Sequence, residues 1–319
     1  MSVDIVIVSY NTADLLREAL RSIEDHAGPT QAVSVFVVDN ASTDGSPHMA
    51  GTEFPQTNTT ALEQNIGFGA ANNRGIRLGS APYILFLNSD AALTPGALDH
   101  LLHCLENQPD CVVVGPRLVY PDNSFQPSCR RFPTPLRSFW SLSGLESRHP
   151  ETYRNLQNWL SESEHDGPKE VDMVSGACFL ARRDYLESIG LFDENLFMYE
   201  EETDISLPAV RRGRSIMYCP DATVIHHGGA SVVSARASAF STRHMFRSKY
   251  VCFRKHYGRF WARLTYATDC GLLWKSKLTN HIRRSESDAA FNLASCRRGW
   301  RESFVPMAKL RNRADFFSD

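Results

Sequence analysis

The chain has 319 residues, 42% of them hydrophobic and 22% charged, an ordinary globular composition with enough apolar side chains for a large core. Its formal net charge of −2 names no partner, but residues 243–319 hold seventeen Lys and Arg against six Asp and Glu, leaving seventeen against thirty in residues 1–242, so the basic end is expected to meet an anionic surface. The spacing of the eight cysteines suits neither a zinc site nor a small disulfide scaffold, and no apolar run reaches the ~18 residues a membrane-crossing helix needs.

The chain starts almost at once with Val3 to Val8, an apolar run that reads as a buried strand and predicts no signal peptide. Leu15, Leu16, Ala19, Leu20 and Ile23 follow at helical spacing, with Asn11 or Thr12 as N-cap. Val33 to Val38 is a second strand, closed by the turn-rich Asp39–Gly45 segment, and Tyr83 to Leu87 a third. Thr94-Pro95 is expected to open a helix carrying Leu98, Leu101, Leu102 and Leu105, and Val112 to Val114 is another strand. Strands alternating with helices predict an α/β fold with a mostly parallel, Rossmann-like sheet and helices on both faces. Ligands of such a sheet lie beyond the carboxyl ends of its strands, where Ser9–Asn11, Asp39–Asn40 and Asn88–Asp90 fall.

Pro121 to Gly167 breaks the alternation and reads as a long, partly helical excursion. A helix is expected from Glu201 or Glu202 to Arg212, ended by Gly213, then two short strands bracketing Cys219-Pro220. From Ala239 onward helical periodicity dominates. These shifts divide the chain into residues 1–120, 121–257 and a basic helical extension, 258–319.

Four clusters carry chemistry. Asn88-Ser89-Asp90 ends a buried strand, where one carboxylate can hold a divalent cation and leave room for diphosphate oxygens; a plain turn or helix cap gives the same residues. Glu200-Glu201-Glu202 with Asp204 packs four acids into five residues behind the apolar Leu196–Tyr199. Mutual repulsion and burial would raise their pKa values as a general base requires, whereas a solvated helix N-terminus also favours acids. His226-His227-Gly228-Gly229 follows a strand, and an imidazole there is either a further metal ligand or a structural hydrogen-bonder. Asn65–Gly75 is glycine-rich and opens a helix, but it lacks the third glycine of a dinucleotide fingerprint and does not follow the first strand. It reads better as a loop packed against a sugar nucleotide.

Taken in order, Val8-Ser9-Tyr10-Asn11, Val38–Asp44, Asn65–Gly69 through Asn72-Asn73, Leu87–Asp90, Ser175-Gly176-Ala177, Phe192-Asp193-Glu194, Met198-Tyr199 through Asp204, and His226–Gly229 resemble glycosyltransferase family 2 over roughly residues 3–260. The likeness is strongest to its bacterial rhamnosyltransferase-like members. The resemblance implies the GT-A fold and a nucleotide-diphosphate sugar donor held by Ser9, Asn11, Asp39, Asn65, Gly67, Asn72, Asn88, Ser89 and Asp90. It implies Mn²⁺ or Mg²⁺ on Asp90 and His226, and an acceptor side formed by Gly176, Ala177, Glu201 and Asp204. Glu202 is then the general base, with Glu201 beside it, and a single displacement inverts the anomeric centre. The pattern favours dTDP-L-rhamnose as donor, with UDP-hexose or UDP-galactofuranose as runner-up. A sugar-nucleotide-binding relative without activity is the competing class; a dehydrogenase is opposed by the missing glycine fingerprint.

Three positions depart from the family pattern. Glu202 stands where Asp is usual, Asn88 opens the D-x-D position, and Pro208 stands where relatives commonly carry Arg. Pro208 predicts a short or kinked helix, with Arg211, Arg212 or Arg214 as substitutes for a lost phosphate contact. Arg130-Arg131 also resembles the rhamnosyltransferase-like group and offers a diphosphate clamp, or else a solvated basic loop.

At the basic end, Trp261, Leu264, Thr268, Gly271, Leu272, Leu278 and Ile282 share roughly one helical face, flanked by Arg259, Arg263, Lys275, Lys277, Arg283 and Arg284. Such a helix either lies on an anionic membrane or packs on the catalytic domain or a second copy. With the reduced cysteines, this predicts a cytoplasmic enzyme, peripheral on the inner membrane face and acting on a glycan or lipid-linked glycan. No nucleic-acid motif is recognisable.

Overall fold

The structure is a computed structural model that describes all residues except 28–30, 144–155, 229–234, 283–287, 314–315 and 317–319. Two compact units emerge, interleaved along the chain: the first takes 1–131, 159–193 and 204–231, the second 132–158, 194–203 and 232–319.

The first unit holds the sheet. Its elements are β1 (Ser2–Ser9), α1 (Ala13–His26), β2 (Ala32–Asp39), α2 (Ser46–Glu53), β3 (Asn58–Ala61), α3 (Phe68–Leu78), β4 (Tyr83–Leu87), β5 (Ala91–Leu93), α4 (Ala97–Glu106), β6 (Cys111–Val119), β7 (Phe125–Gln126), β8 (Cys129–Arg130), β9 (Lys169–Glu170), β10 (Met173–Val174), β11 (Cys178–Arg182) and β12 (Ser215–His226). The strand order is β3-β2-β1-β4-β11-β6-β12-β5. β1, β2, β3 and β4 pair in parallel, and so do β6 and β12, while β11 runs antiparallel between β4 and β6.

Side chains alternate across the strands, so each face of the sheet builds its own core. Ile5, Ile7, Leu85 and Leu87 face α1 and α4, meeting Leu16, Leu20, Leu98, Leu101 and Leu105. Val6, Ile84 and Phe86 face the other way, meeting Ile76, Leu186, Ile205 and Ala209. Each such burial contributes on the order of 2 kcal/mol, which is why helices flank both faces. Asp4 interrupts the apolar run of β1 without breaking it: its carboxylate accepts from Ala81 N at 2.9 Å and pairs with Arg183 at 2.7 Å, so the buried charge is compensated.

Several expected boundaries move. The Thr94-Pro95 helix begins only at Ala97, because Thr94–Ala97 closes a turn (Ala97 N to Thr94 O, 3.1 Å) and the Thr94 hydroxyl donates to Thr223 O at 2.7 Å. The two strands expected around Cys219-Pro220 are one, β12, whose register on β6 shifts between Cys219 and Thr223. Proline supplies no donor, and the strand passes it as a bulge. The helix Glu201–Arg211 starts and ends where expected and carries Pro208 within it. One backbone hydrogen bond is lost, but burial of Ile205, Leu207 and Ala209 holds the helix. The expected 121–167 excursion contains β7, β8, the helix Pro135–Leu142 and a 3-10 turn at Glu162–Glu164; its centre lies outside the described residues.

The second unit is helical: Pro135–Leu142, Ala235–His256, Arg259–Ile282, Asp288–Glu302 and Met307–Arg311. Phe246, Tyr250, Leu273, Leu293 and Cys296 form one of its cores, and Phe197, Met307, Leu310 and Phe316 another. The eight cysteines are free. Among the described residues no helix is long and apolar enough to cross a membrane.

Candidate functional site

The carboxyl ends of β1, β2 and β4 bring the first-unit candidates together. Ser9 and Asp39 are register partners across β1 and β2, and both side chains are buried. Asp39 Oδ2 accepts from Ser42 N at 2.9 Å, while Oδ1 is buried without a hydrogen-bond partner. A buried carboxylate oxygen left unsatisfied is costly; it suits an incoming donor such as a base N–H or ribose hydroxyl. Asn11 sits at φ +54°, a conformation Asn tolerates, and its Oδ1 accepts from Thr43 N at 2.8 Å. Asp44 accepts from Ala13 N at 2.8 Å. Asn11 and Asp44 thus stitch the loops after β1 and β2 into one wall.

The glycine-rich loop joins this wall through Asn40, which the sequence placed at the end of β2 but not among the donor-binding residues. Asn40 Oδ1 accepts from Ile66 N at 2.8 Å, its amide donates to Gly67 O at 3.4 Å, and Gly67 N donates to Asn65 Oδ1 at 3.0 Å. Gly67 takes φ +90°, which a side chain would disfavour, to swing the chain into α3. Asn72 donates to Phe68 O at 3.1 Å, within its own helix. Asn73 exchanges bonds of 3.0 and 3.1 Å with the backbone of Phe192, bracing α3 from the far side of the sequence.

Thr12 turns out to have another task than capping. It starts α1 with no side-chain cap bond; its hydroxyl lies 3.1 Å from the Ser9 hydroxyl and donates to Ser89 at 2.9 Å. This hydroxyl chain links the end of β1 to Asn88-Ser89-Asp90. Asn88 N donates to Ala177 O at 2.9 Å, which sets Gly176-Ala177 beside the same loop through the β4–β11 pairing.

Asp90 and His226 meet because β5 pairs antiparallel with the end of β12, Ala91 opposite His226. His226 Nε2 lies 3.3 Å from Asp90 Oδ1, and Nδ1 is 2.8 Å from Gln126 Oε1. With Nδ1–H donating to Gln126, Nε2 is turned toward Asp90: a protonated imidazole donates to the carboxylate there, and a neutral one can share a cation with it. Burial would raise the Asp90 pKa, but the hydrogen bond and charge of His226 outweigh it and hold the carboxyl below the usual carboxylate range, ionised as a ligand must be. Among the described residues no three His, Cys, Asp or Glu side chains converge on a metal-sized site. Asp90 and His226 are the two described groups at these strand ends that could hold a cation between them. His227 points elsewhere, its Nε2 3.3 Å from Glu18.

The acidic cluster is presented by the second unit. Tyr199 and Glu200 both adopt left-handed backbone, φ +69° and +70°, immediately before Glu201 starts its helix. Two consecutive non-glycine residues there cost on the order of 1–2 kcal/mol each, strain of a kind concentrated at functional sites. The helix Ala235–His256 holds the turn: Ser248 donates to Met198 O at 2.7 Å, Arg247 donates to Asn195 O, and the Tyr199 and Ser241 hydroxyls bond. Thr203 donates to Glu200 at 2.8 Å; Glu201 is buried and Glu202 half-buried. Asp204, in the first unit, is buried as well.

Arg130 and Arg131, read from the sequence as a diphosphate clamp or a solvated basic loop, already have neighbours in their own unit. Arg131 pairs with Glu164 and Arg130 lies over the Trp159 ring at 4.9 Å. Arg214 is similarly committed, to Asp110 at 3.1 Å, and Arg212 to Ser188 at 3.4 Å. Each of these charges already has a neighbour in the first unit that sequence spacing could not reveal.

The chain matches the family model described as Glycosyl transferase family 2 over residues 4–190. It is 31% identical over 270 residues to N-acetylglucosaminyl-diphospho-decaprenol L-rhamnosyltransferase of Mycobacterium tuberculosis, covering 81% of this chain and 85% of that protein. To O-antigen biosynthesis protein RfbC of Myxococcus xanthus it is 26% identical over 285 residues, 85% of this chain and 21% of that one. Among solved structures, the mannosyltransferase PcManGT from Pyrobaculum calidifontis in complex with GDP-Man and Mn²⁺ aligns at a TM-score of 0.55 and 18% identity, covering 99% of this chain and 84% of that one. GalNAc-T7 with UDP, GalNAc and Mn²⁺ aligns at 0.57 and 14%, covering 79% and 48%. At such identities the structural likeness speaks to the fold, which is the GT-A arrangement the sequence led us to expect.

Proposed function

The chain belongs to glycosyltransferase family 2, and we propose that it transfers L-rhamnose from dTDP-L-rhamnose to a hydroxyl of a lipid-linked glycan, inverting the anomeric centre. The observation that carries a transferase reading is the Asp90–His226 pair, set at the strand ends that also present the unsatisfied Asp39 carboxylate. The rhamnosyl donor and the lipid-linked acceptor rest on the likeness to the mycobacterial enzyme.

In this reading Asp39 takes the nucleoside, and the Asn11–Asp44 wall and the Asn65–Gly67 loop shape the pocket around it. Asp90 and His226 would hold Mn²⁺ or Mg²⁺, which when bound offsets the negative charge of the leaving diphosphate. Gly176 and Ala177 border the acceptor side, with Glu201 and Asp204 orienting the acceptor. Glu202 removes the proton from its hydroxyl as the new bond to the anomeric carbon forms. The basic C-terminal helices would keep the enzyme at the membrane face where such acceptors reside.

Turnover with dTDP-L-rhamnose, UDP-glucose and UDP-galactofuranose, each with a polyprenyl-diphosphate N-acetylglucosamine acceptor, tests the proposal. Acceptor-dependent release of dTDP with rhamnosyl product is expected. Turnover of a UDP-sugar alone would reassign the donor, and binding without turnover of any donor would favour the inactive class.

A further inference from the structure

The C-terminal helical unit carries a basic cavity that the transferase reading does not use. It has a volume of about 360 Å³ and is lined by Arg254, Arg259, Ala262, Arg263, Trp300 and Phe304. Arg254 comes from the end of one long helix and Arg259 and Arg263 from the start of the next, across the turn at Gly258.

Among the described residues these three arginines have no carboxylate partner. The acids of the neighbouring helices are committed elsewhere: Asp269 pairs with Lys249 at 2.8 Å, and Glu302 with Arg298 at 2.9 Å and Arg243 at 3.7 Å. Arg254 is fixed rather than free to swing away, donating to the Ser303 hydroxyl at 3.2 Å and lying over the Phe304 ring at 4.8 Å. Burial, and then the like charge of Arg259, push its guanidinium below its usual pKa. Arg259 also opens a helix with no acid in its first turn, where the backbone dipole adds further positive potential. The local field therefore calls for an anion.

The surface beside this cavity is apolar. Phe260 is 69% exposed, Trp261 44%, Leu264 41%, Trp274 56% and Phe304 54%. Phe260, Trp261, Leu264, Gly271 and Trp274 follow one another along the exposed side of the helix, while Ala262, Thr265, Asp269 and Leu273 form its buried side. Of the residues the sequence placed on one face, Trp261, Leu264 and Gly271 are exposed and Thr268 and Leu272 half-buried, with Arg259, Arg263 and Lys275 beside the exposed stripe. Exposed aromatics bordering uncompensated arginines match a bilayer interface, where rings enter the headgroup layer and guanidinium groups take phosphates.

We propose that this face docks on an anionic phospholipid membrane, with a lipid headgroup phosphate seated among Arg254, Arg259 and Arg263 and with Phe260, Trp261 and Trp274 inserted beside it. This narrows membrane association from the whole basic tail to one cavity and one stripe. It is read without any sugar nucleotide, so its failure and a failure of the transferase reading are separate results.

The test is flotation of the full chain with vesicles of phosphatidylcholine alone and of phosphatidylcholine with phosphatidylglycerol. Binding is expected only with phosphatidylglycerol, weakening as salt rises. Arg259→Gln with Arg263→Gln should lower the partition by roughly thirtyfold, since each removed charge is worth about fivefold at an anionic surface. Trp261→Ser should lower it too, and Arg117→Gln, an exposed arginine of the sheet unit, should leave it unchanged. Thermal melts by circular dichroism confirm that the variants fold. No flotation with phosphatidylglycerol, or equal flotation of the double variant, overturns the proposal. Release by inorganic phosphate but not by chloride of the same ionic strength would reassign the cavity to a soluble anion. Light scattering that shows a dimer broken by Trp261→Ser, without vesicle binding, would reassign the stripe to a second copy of the chain.

Discussion

Asp90→Asn is expected to lower transfer by about 10²- to 10³-fold and to remove the dependence of donor binding on Mn²⁺. The substitution keeps the volume of a buried side chain that touches His226 at 3.3 Å and follows the hydroxyl chain through Thr12 and Ser89. What it removes is charge, in a site where the carboxyl is held ionised against its burial. His226 and Gln126 would remain in place, so a small, local loss of stability should accompany a large loss of function. Steady-state kinetics across Mn²⁺ concentrations, with a melt as control, read both. Activity within a few-fold of wild type would show that Asp90 serves the turn before β5 and not the donor.

The second large effect is at Glu202. Changing it to Gln should cost about 10²- to 10⁴-fold in kcat, the span associated with a general base, while donor binding stays intact. The neighbouring geometry supports this choice over a solvated helix start. Two left-handed residues, Tyr199 and Glu200, are forced into place just ahead of it, and Ser248, Arg247 and Ser241 hold them there. A chain that needed only a helix N-terminus would have no use for such strain. Near-normal turnover of the Gln variant would remove Glu202 as base and direct attention to Glu201 or Asp204.

The sequence made the sheet readable because its signals are local. Apolar runs ending in Ser9, Asp39 and Asn88 mark strands whose carboxyl ends converge, and the two-residue alternation of Ile5, Val6 and Ile7 separates the two cores. The candidate residues were legible as types at strand ends, but their pairings were not. Asp90 meets His226 only through the β5–β12 ladder, and Gln126, which orients the imidazole, comes from a two-residue strand without a sequence signal. Asn40 and Asn73 stood in plain view within recognised segments, yet their work is tertiary: one ties down the Asn65–Gly67 loop, the other clasps the backbone of Phe192. Thr12 illustrates the same limit from the other side. Its position predicted a cap, and a competing hydroxyl partner far along the chain took the bond.

Charges and backbone breakers are read locally in the same way. Arg131 looked available for a diphosphate because Glu164 lies far off in sequence, and Pro208 looked disruptive because its lost backbone bond is local while the packing of Ile205, Leu207 and Ala209 that outweighs it is not. The helices from Ala239 onward were legible, but the joining of 132–158 and 194–203 with 232–319 into one helical unit was not. What the sequence did show at that end is a basic helix with one apolar face, of which Trp261, Leu264 and Gly271 are exposed and Thr268 and Leu272 half-buried.

The ends of β1, β2 and β4 are proposed to form a metal-assisted site for a nucleotide-diphosphate sugar. Calorimetric titration of dTDP-L-rhamnose into the full chain, with Mn²⁺ and then with EDTA, tests it most directly. Saturable binding with Mn²⁺ is expected, weakening at least about tenfold when the cation is removed, the equivalent of one lost charge-assisted contact at a partly buried site. Equal binding with and without the cation, or no binding of any dTDP- or UDP-sugar in either state, would contradict it.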